Sequence, residues 1–140
     1  MKSYLIAVDF DGTIVEDAYP KIGKPMLFAF ETLKQLANDG HRLILWTYRH
    51  GKELQEAVDF CKSHGVVFYA VNSSYADEVF DGNSQSRKLL ADIFIDDRNL
   101  GGFPGWGESL HIINKQIQFT LHEHGKEKET KKKKRGLFGI

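Results

Sequence analysis

The sequence predicts an α/β fold, a doubly wound, mostly parallel sheet of Rossmann-like form, and three observations predict it. Four short apolar runs, at residues 4–9, 42–47, 66–71 and 92–96, are rich in Ile, Val, Leu and Phe. They show little alternation, as strands covered on both faces should. Helical patterns separate the runs, and a strand–helix alternation of this kind builds a parallel sheet with right-handed crossovers. Finally, the polar residues gather where the runs end, and ligands of such sheets bind beyond the carboxyl ends of the strands.

The elements follow in order. The first strand, residues 4–9, is apolar from Tyr4 to Val8 and ends in Asp9, with Asp11 two residues on. A helix is expected over 25–39, with Phe30, Leu33, Leu36 and Ala37 on one face, Pro25 near its start and Gly40 past its end. The second strand, "HRLILWT", ends at Thr47 and is followed by Tyr48 and Arg49. A second helix over 52–64 places Leu54, Ala57, Val58 and Cys61 on one face, and Gly65 closes it. The third strand, 66–71, leads into the polar loop 72–87, and a short helical piece is expected over 86–91. The fourth strand, 92–96, ends in Asp96 and Asp97. A last helix over about 106–124 carries Leu110, Ile113, Ile117 and Leu121 at helical spacing. Helices are expected on both faces of the sheet.

The chain of 140 residues suits one domain, with a core over 1–125 and a tail over 126–140. Formal net charge is +0, yet Lys126–Arg135 holds seven basic and two acidic residues, leaving 12 basic and 17 acidic for the rest. The tail is expected to be disordered, and its charge suits anionic partners. Nothing in the body supports specific nucleic-acid binding. Cys61 stands alone, so no intramolecular disulfide forms; it reads as a helix core position in a reducing compartment. No signal-peptide pattern opens the chain and no apolar run reaches membrane-span length. A cytoplasmic location without a membrane span is therefore expected. His122 and His124 end a polar helix without further ligands, so solvated histidines are expected there.

On a parallel sheet the four strand ends lie on one edge. Asp9, Asp11, Asp96 and Asp97 then meet near Thr47 and several basic residues. Carboxylates gathered in this way demand a cation, and oxygen donors without His or Cys favour Mg²⁺. Asp9 and Asp96 are the first choices as direct ligands, with the Asp11 main-chain carbonyl as a third and Asp97 acting through water. Asp9 can attack phosphorus, and Asp11 can give and then take a proton. Thr47 and the main-chain N–H groups after it, including that of Tyr48, can hold phosphate oxygens. Lys88 can supply a fixed charge at the phosphoryl group. Arg87 and Arg49 compete for that role, and Arg49 also suits a second anionic group of the substrate.

"DFDGT", "LILWT", Lys88 and "FIDD" resemble, in order, the four motifs of the haloacid dehalogenase-like (HAD) hydrolases. The longer stretches "AVDFDGTIVED", "FIDDRNLGG" and "PGWG" resemble a small bacterial subgroup of that superfamily. The resemblance implies a phosphatase with Asp9 as nucleophile and Asp11 as acid and base. It implies Thr47 and Lys88 as phosphate holders, and Asp96 with Asp97 for Mg²⁺. Residues 12–25 leave room for a turn and hairpin flap and 72–87 form a loop, so the resemblance is to a capless member with an open site. The substrate class it implies is phosphorylated, a small molecule ahead of a macromolecule. Two other readings use the same fold: a receiver-like module that holds an aspartyl-phosphate without turnover, and a non-catalytic binding protein. Asp11 argues against the first and the intact acidic set against the second.

Overall fold

The computed structural model describes residues 2–116. The strands are β1 (Leu5–Val8), β2 (Arg42–Leu45), β3 (Ala70–Val71) and β4 (Ile93–Ile95). The helices are α1 (Ala29–Asn38), α2 (Gly51–Ser63) and α3, helical over 106–116. The strand order is β3-β2-β1-β4, and every pairing is parallel. The chain thus winds outward from β1 through β2 to β3 and then returns to the other side of β1. That reversal defines a doubly wound sheet, and its switch point lies between β1 and β4.

Alternate side chains of β1 and β2 face opposite ways. Ile6, Val8, Leu43 and Leu45 enter a large core cluster with Leu33 and Leu36 of α1, Ala57 and Cys61 of α2, and Trp106 and Ile113 of α3. Ala7 and Ile44 instead join Ala70 and Leu89 in a smaller cluster. Burial of Cys61 pushes its thiol up to about 12, in keeping with a core position. Right-handed crossovers place α1 and α2 on one face and the β3–β4 connection on the other. That connection contributes Leu89 but no helix, so the described helices cover one face of the sheet and not both as expected.

Three elements differ from expectation. Residues 86–91 are not helical: Lys88 N–H donates to Ser86 Oγ and Leu90 N–H to Ser74 Oγ, so side chains take the donors a helix would use. Pro25 does not open α1. It pairs with Val15 instead, and Met26 N–H donates to the Ile14 carbonyl, so residues 14–26 form a hairpin flap and the helix begins at Ala29. β3 keeps only two residues of the expected six, because pairing with β2 reaches only Ile44 and Leu45, and Val67 points out to solvent. Residues 117–140, on which the expected end of the last helix, His122, His124 and the basic tail fall, lie outside the described residues. Among the described residues no helix is long and apolar enough to cross a membrane.

Candidate active site

The register Val8↔Leu45 and Val8↔Ile95 ends three strands at one level. Asp9 N–H donates to the Ile95 carbonyl at 2.9 Å, which brings the residue after β1 beside the residue after β4. Asp9, Asp96 and Asp97 each offer a carboxylate oxygen, and the three oxygens lie within 4.8 Å of one another. They line an open cleft of about 590 Å³ at the switch point, together with Thr47, Tyr48 and Asp11. Burial pushes Asp9 up to about 7, and the charge of Asp96 adds to the rise.

Thr13, which the sequence reading did not single out, joins the two acidic loops. Its hydroxyl donates to Asp9 Oδ2 at 3.0 Å and accepts the Asp97 N–H at 3.1 Å. Its carbonyl accepts Trp106 Nε1–H at 2.8 Å, which ties the site to α3. The residue is fully buried. Thr13→Val keeps the shape and removes both hydroxyl bonds, leaving the Asp97 N–H without its partner. The variant is expected to lose about 1–3 kcal/mol in a denaturant melt and to bind Mg²⁺ more weakly in calorimetry. Unchanged stability together with unchanged metal affinity would contradict this account of Thr13. Gly12 matters for a different reason. Its φ is +84°, and a Cβ there would fall on the Asp97 carboxylate, so the close approach of the two loops needs glycine.

Asp11 does not join the three-carboxylate cluster. Both its oxygens are held by Arg49, Oδ2 by Nε–H and Oδ1 by an Nη2 hydrogen, each at 2.8 Å. Any metal contact of Asp11 is thereby left to its main-chain carbonyl. Arg49 itself corrects the expectation of a substrate-binding arginine. It is 1% exposed, and its remaining donors reach the carbonyls of Pro20, Lys21 and Glu53. A guanidinium with five N–H groups and five bonds has no donor left for phosphate. The hydrogen bonds to Asp11 raise its pKa further, so it stays charged. The sequence contained the residue, but all its partners except Glu53 lie 28–38 positions away in the chain.

Thr47 is at the cleft wall as expected. It does not cap α2, whose N-cap is His50; Thr47 Oγ1 accepts the Arg49 N–H at 3.2 Å, and Thr47 N–H donates to Asn72 Oδ1 at 2.8 Å. That N–H is therefore already engaged. Tyr48 is 89% exposed and stands at the cleft rim. Lys88 departs from expectation: it is exposed and is not among the residues lining the cleft. Arg87 lines a neighbouring cavity that shares Trp46 and Thr47 with the cleft. Among the described residues the cation lining the cleft is Arg98, whose N–H donates to Asp96 Oδ1. It stands directly after the "DD" pair, and that adjacency was the signal for it.

Fold and site together define a doubly wound α/β protein with an acidic crevice at its switch point. A solved structure of a conserved protein from Bacteroides thetaiotaomicron is similar to this chain over 82% of its length and 93% of that protein, with 51% identity and a TM-score of 0.78. The chain belongs to the same family as that conserved protein. No family model matches the chain, and no curated protein matches it.

Proposed function

We propose that the protein is a Mg²⁺-dependent phosphatase of the HAD-like kind, working through an aspartyl-phosphate on Asp9. The observation that carries this reading is the convergence of Asp9, Asp96 and Asp97 in an open crevice while Asp11 is held apart by Arg49. The donor set fits a hard divalent cation. It is all oxygen, it has crowded negative charge, and burial, with the charge of Asp96, drives Asp9 towards its neutral form. Asp9 and Asp96 would hold Mg²⁺ directly, with Asp97 acting through water. When bound, Mg²⁺ offsets the repulsion between carboxylate and phosphate.

The chain's own residues then divide the work. Asp9, steadied by the Thr13 hydroxyl, attacks phosphorus. Asp11 gives a proton to the leaving oxygen and later takes one from the attacking water. The Thr47 hydroxyl and Arg98 stand on the cleft wall where phosphoryl oxygens would be held, which gives Arg98 the part expected of Lys88. A cleft of about 590 Å³ has room for a small phosphorylated molecule.

The test is hydrolysis of an aryl phosphate with Mg²⁺ and after chelation, with borohydride trapping of an acyl-phosphate. The expected result is Mg²⁺-dependent turnover and reduction of Asp9 to homoserine. Turnover that survives chelation, or a trapped residue other than Asp9, contradicts the reading. A long-lived acyl-phosphate without turnover supports the receiver-like module instead.

A further inference from the structure

A second cavity, of about 680 Å³, opens beside the acidic cleft, and Trp46 and Thr47 belong to the walls of both. The two spaces differ in charge. Among the described residues the cleft wall carries five aspartates, Asp17 one of them, and a single cation, Arg98. The second cavity carries one carboxylate, Glu78, with Arg87 and His50. Its other polar groups already serve the loop after β3. Glu78 Oε2 accepts the Ser74 N–H at 2.6 Å, and Ser74 Oγ accepts the Leu90 N–H at 3.0 Å. Asn72 Oδ1 accepts the Thr47 N–H, the Ser73 hydroxyl donates to the Tyr75 carbonyl, and Ser86 Oγ accepts the Lys88 N–H. Arg87 and His50 are different. Both are exposed, and among the described residues neither side chain makes a hydrogen bond or an ion pair.

We propose that this second cavity is the subsite for the far end of the substrate, and that Arg87, helped by His50, binds a second anionic group there. The inference rests on the phosphatase reading and deepens it by naming the substrate class: a phosphomonoester whose alcohol portion carries another phosphate or a carboxylate. A molecule with its reacting phosphoryl group at Asp9 passes into the second cavity over Thr47 and Trp46, the residues the two spaces share. Trp46, Phe80 and Leu89 give its carbon skeleton an apolar wall. A second anion left in the first cleft would face Asp17, which lies outside the three-carboxylate cluster. In the second cavity it meets basic groups without partners, and a guanidinium grips a phosphate or a carboxylate with two parallel N–H bonds. A neutral, hydroxyl-rich end gains less, because the loop groups that would pair with it are already engaged. The second anionic site expected at Arg49 is thereby taken by Arg87, since Arg49 has no donor to spare.

The experiment compares kcat/KM, with Mg²⁺, for glucose 6-phosphate, glucose 1,6-bisphosphate and 6-phosphogluconate. The first has no second anion; the others add a phosphate and a carboxylate to a similar carbon frame. The wild type is expected to favour one or both of the doubly anionic esters over glucose 6-phosphate by about tenfold or more. The better of the two identifies the group that Arg87 takes. Arg87→Gln is expected to lower kcat/KM for the favoured ester about tenfold more than for glucose 6-phosphate, through KM and not kcat, as for binding away from the reacting atoms. Arg87→Lys, which keeps the charge without the fork, is expected to lose less, and His50→Gln to shift the preference the same way by a smaller factor. Equal losses on all three esters after Arg87→Gln would mark a structural role and overturn the proposal. A preference that survives Arg87→Gln overturns it too, as does a wild type that does not discriminate or is inert towards all three. The aryl phosphate assay with trapping at Asp9 separates the two kinds of failure. Turnover there leaves the phosphatase reading standing, and its absence removes both.

Discussion

Asp9→Asn is expected to abolish phosphate-ester hydrolysis and, without metal, to leave the protein at least as stable as the wild type at pH 8. The first half follows from the proposed nucleophile: loss of a covalent catalyst lowers turnover on the order of 10⁴-fold or more. The second half follows from electrostatics. Burial and Asp96 raise Asp9 from 3.8 to about 7. Between roughly those values the folded chain keeps a proton that the unfolded chain has lost. Stability from this group is therefore complete below the unfolded pKa and falls as pH rises through the folded one. Asparagine carries no such charge, and its carbonyl still accepts the Thr13 hydroxyl bond. Thermal melts of metal-free protein from pH 4 to pH 8 should show the wild type losing ground to the variant as pH rises. Mg²⁺ should reverse that loss in the wild type, and by more at pH 8 than at pH 6, because binding competes with the proton. A wild type whose relative stability climbs with pH would contradict the assignment of crowded charge to Asp9.

How far this site was legible depends on how local its causes are. The apolar run ending at Asp9 and the one ending at Asp96 mark strands by composition alone, and parallel pairing carries their two carboxylates to one edge. That much follows from the order of residues alone. Thr13 was less visible, because "DGT" reads as a turn; the bond its hydroxyl accepts from the Asp97 N–H exists only once β4 lies beside β1. Pro25 and residues 86–91 misled for a related reason. Pro at a helix start and apolar spacing are weak local signals, and tertiary hydrogen bonds to Ile14 and Ser74 outweigh them. Lys88 was placed by its order in the motif series, whereas the direction of a side chain in an irregular loop depends on every bond along that loop. Arg49 was the hardest to read. Beside a strand end it looks like a ligand for anionic substrate, and only the folded flap shows that its anion is Asp11.

The same geometry makes Arg49→Met the substitution with the largest expected effect on stability. Removing one partner of a buried ion pair costs about 3–5 kcal/mol, because the other charge stays in place without its counterpart. Here the side chain of Asp11 is 16% exposed, so water reaches it only in part. Three main-chain carbonyls also lose a donor, at Pro20, Lys21 and Glu53. Packing adds to this, since the guanidinium fills the space between Phe10 and Tyr19. Against a total stability of about 5–15 kcal/mol for a domain of this kind, the loss is a large fraction. It corresponds to a fall in Tm on the order of 10–20 °C. The double variant Arg49→Met with Asp11→Asn is expected to recover part of it, roughly 1–2 kcal/mol, because the stranded charge is gone while the carbonyls remain unpaired. Equilibrium denaturation of the two single variants and the double variant measures this coupling. A methionine variant within 1 kcal/mol of wild type would mean that solvent already screens the pair, and that the flap is held by its hairpin bonds rather than by Arg49.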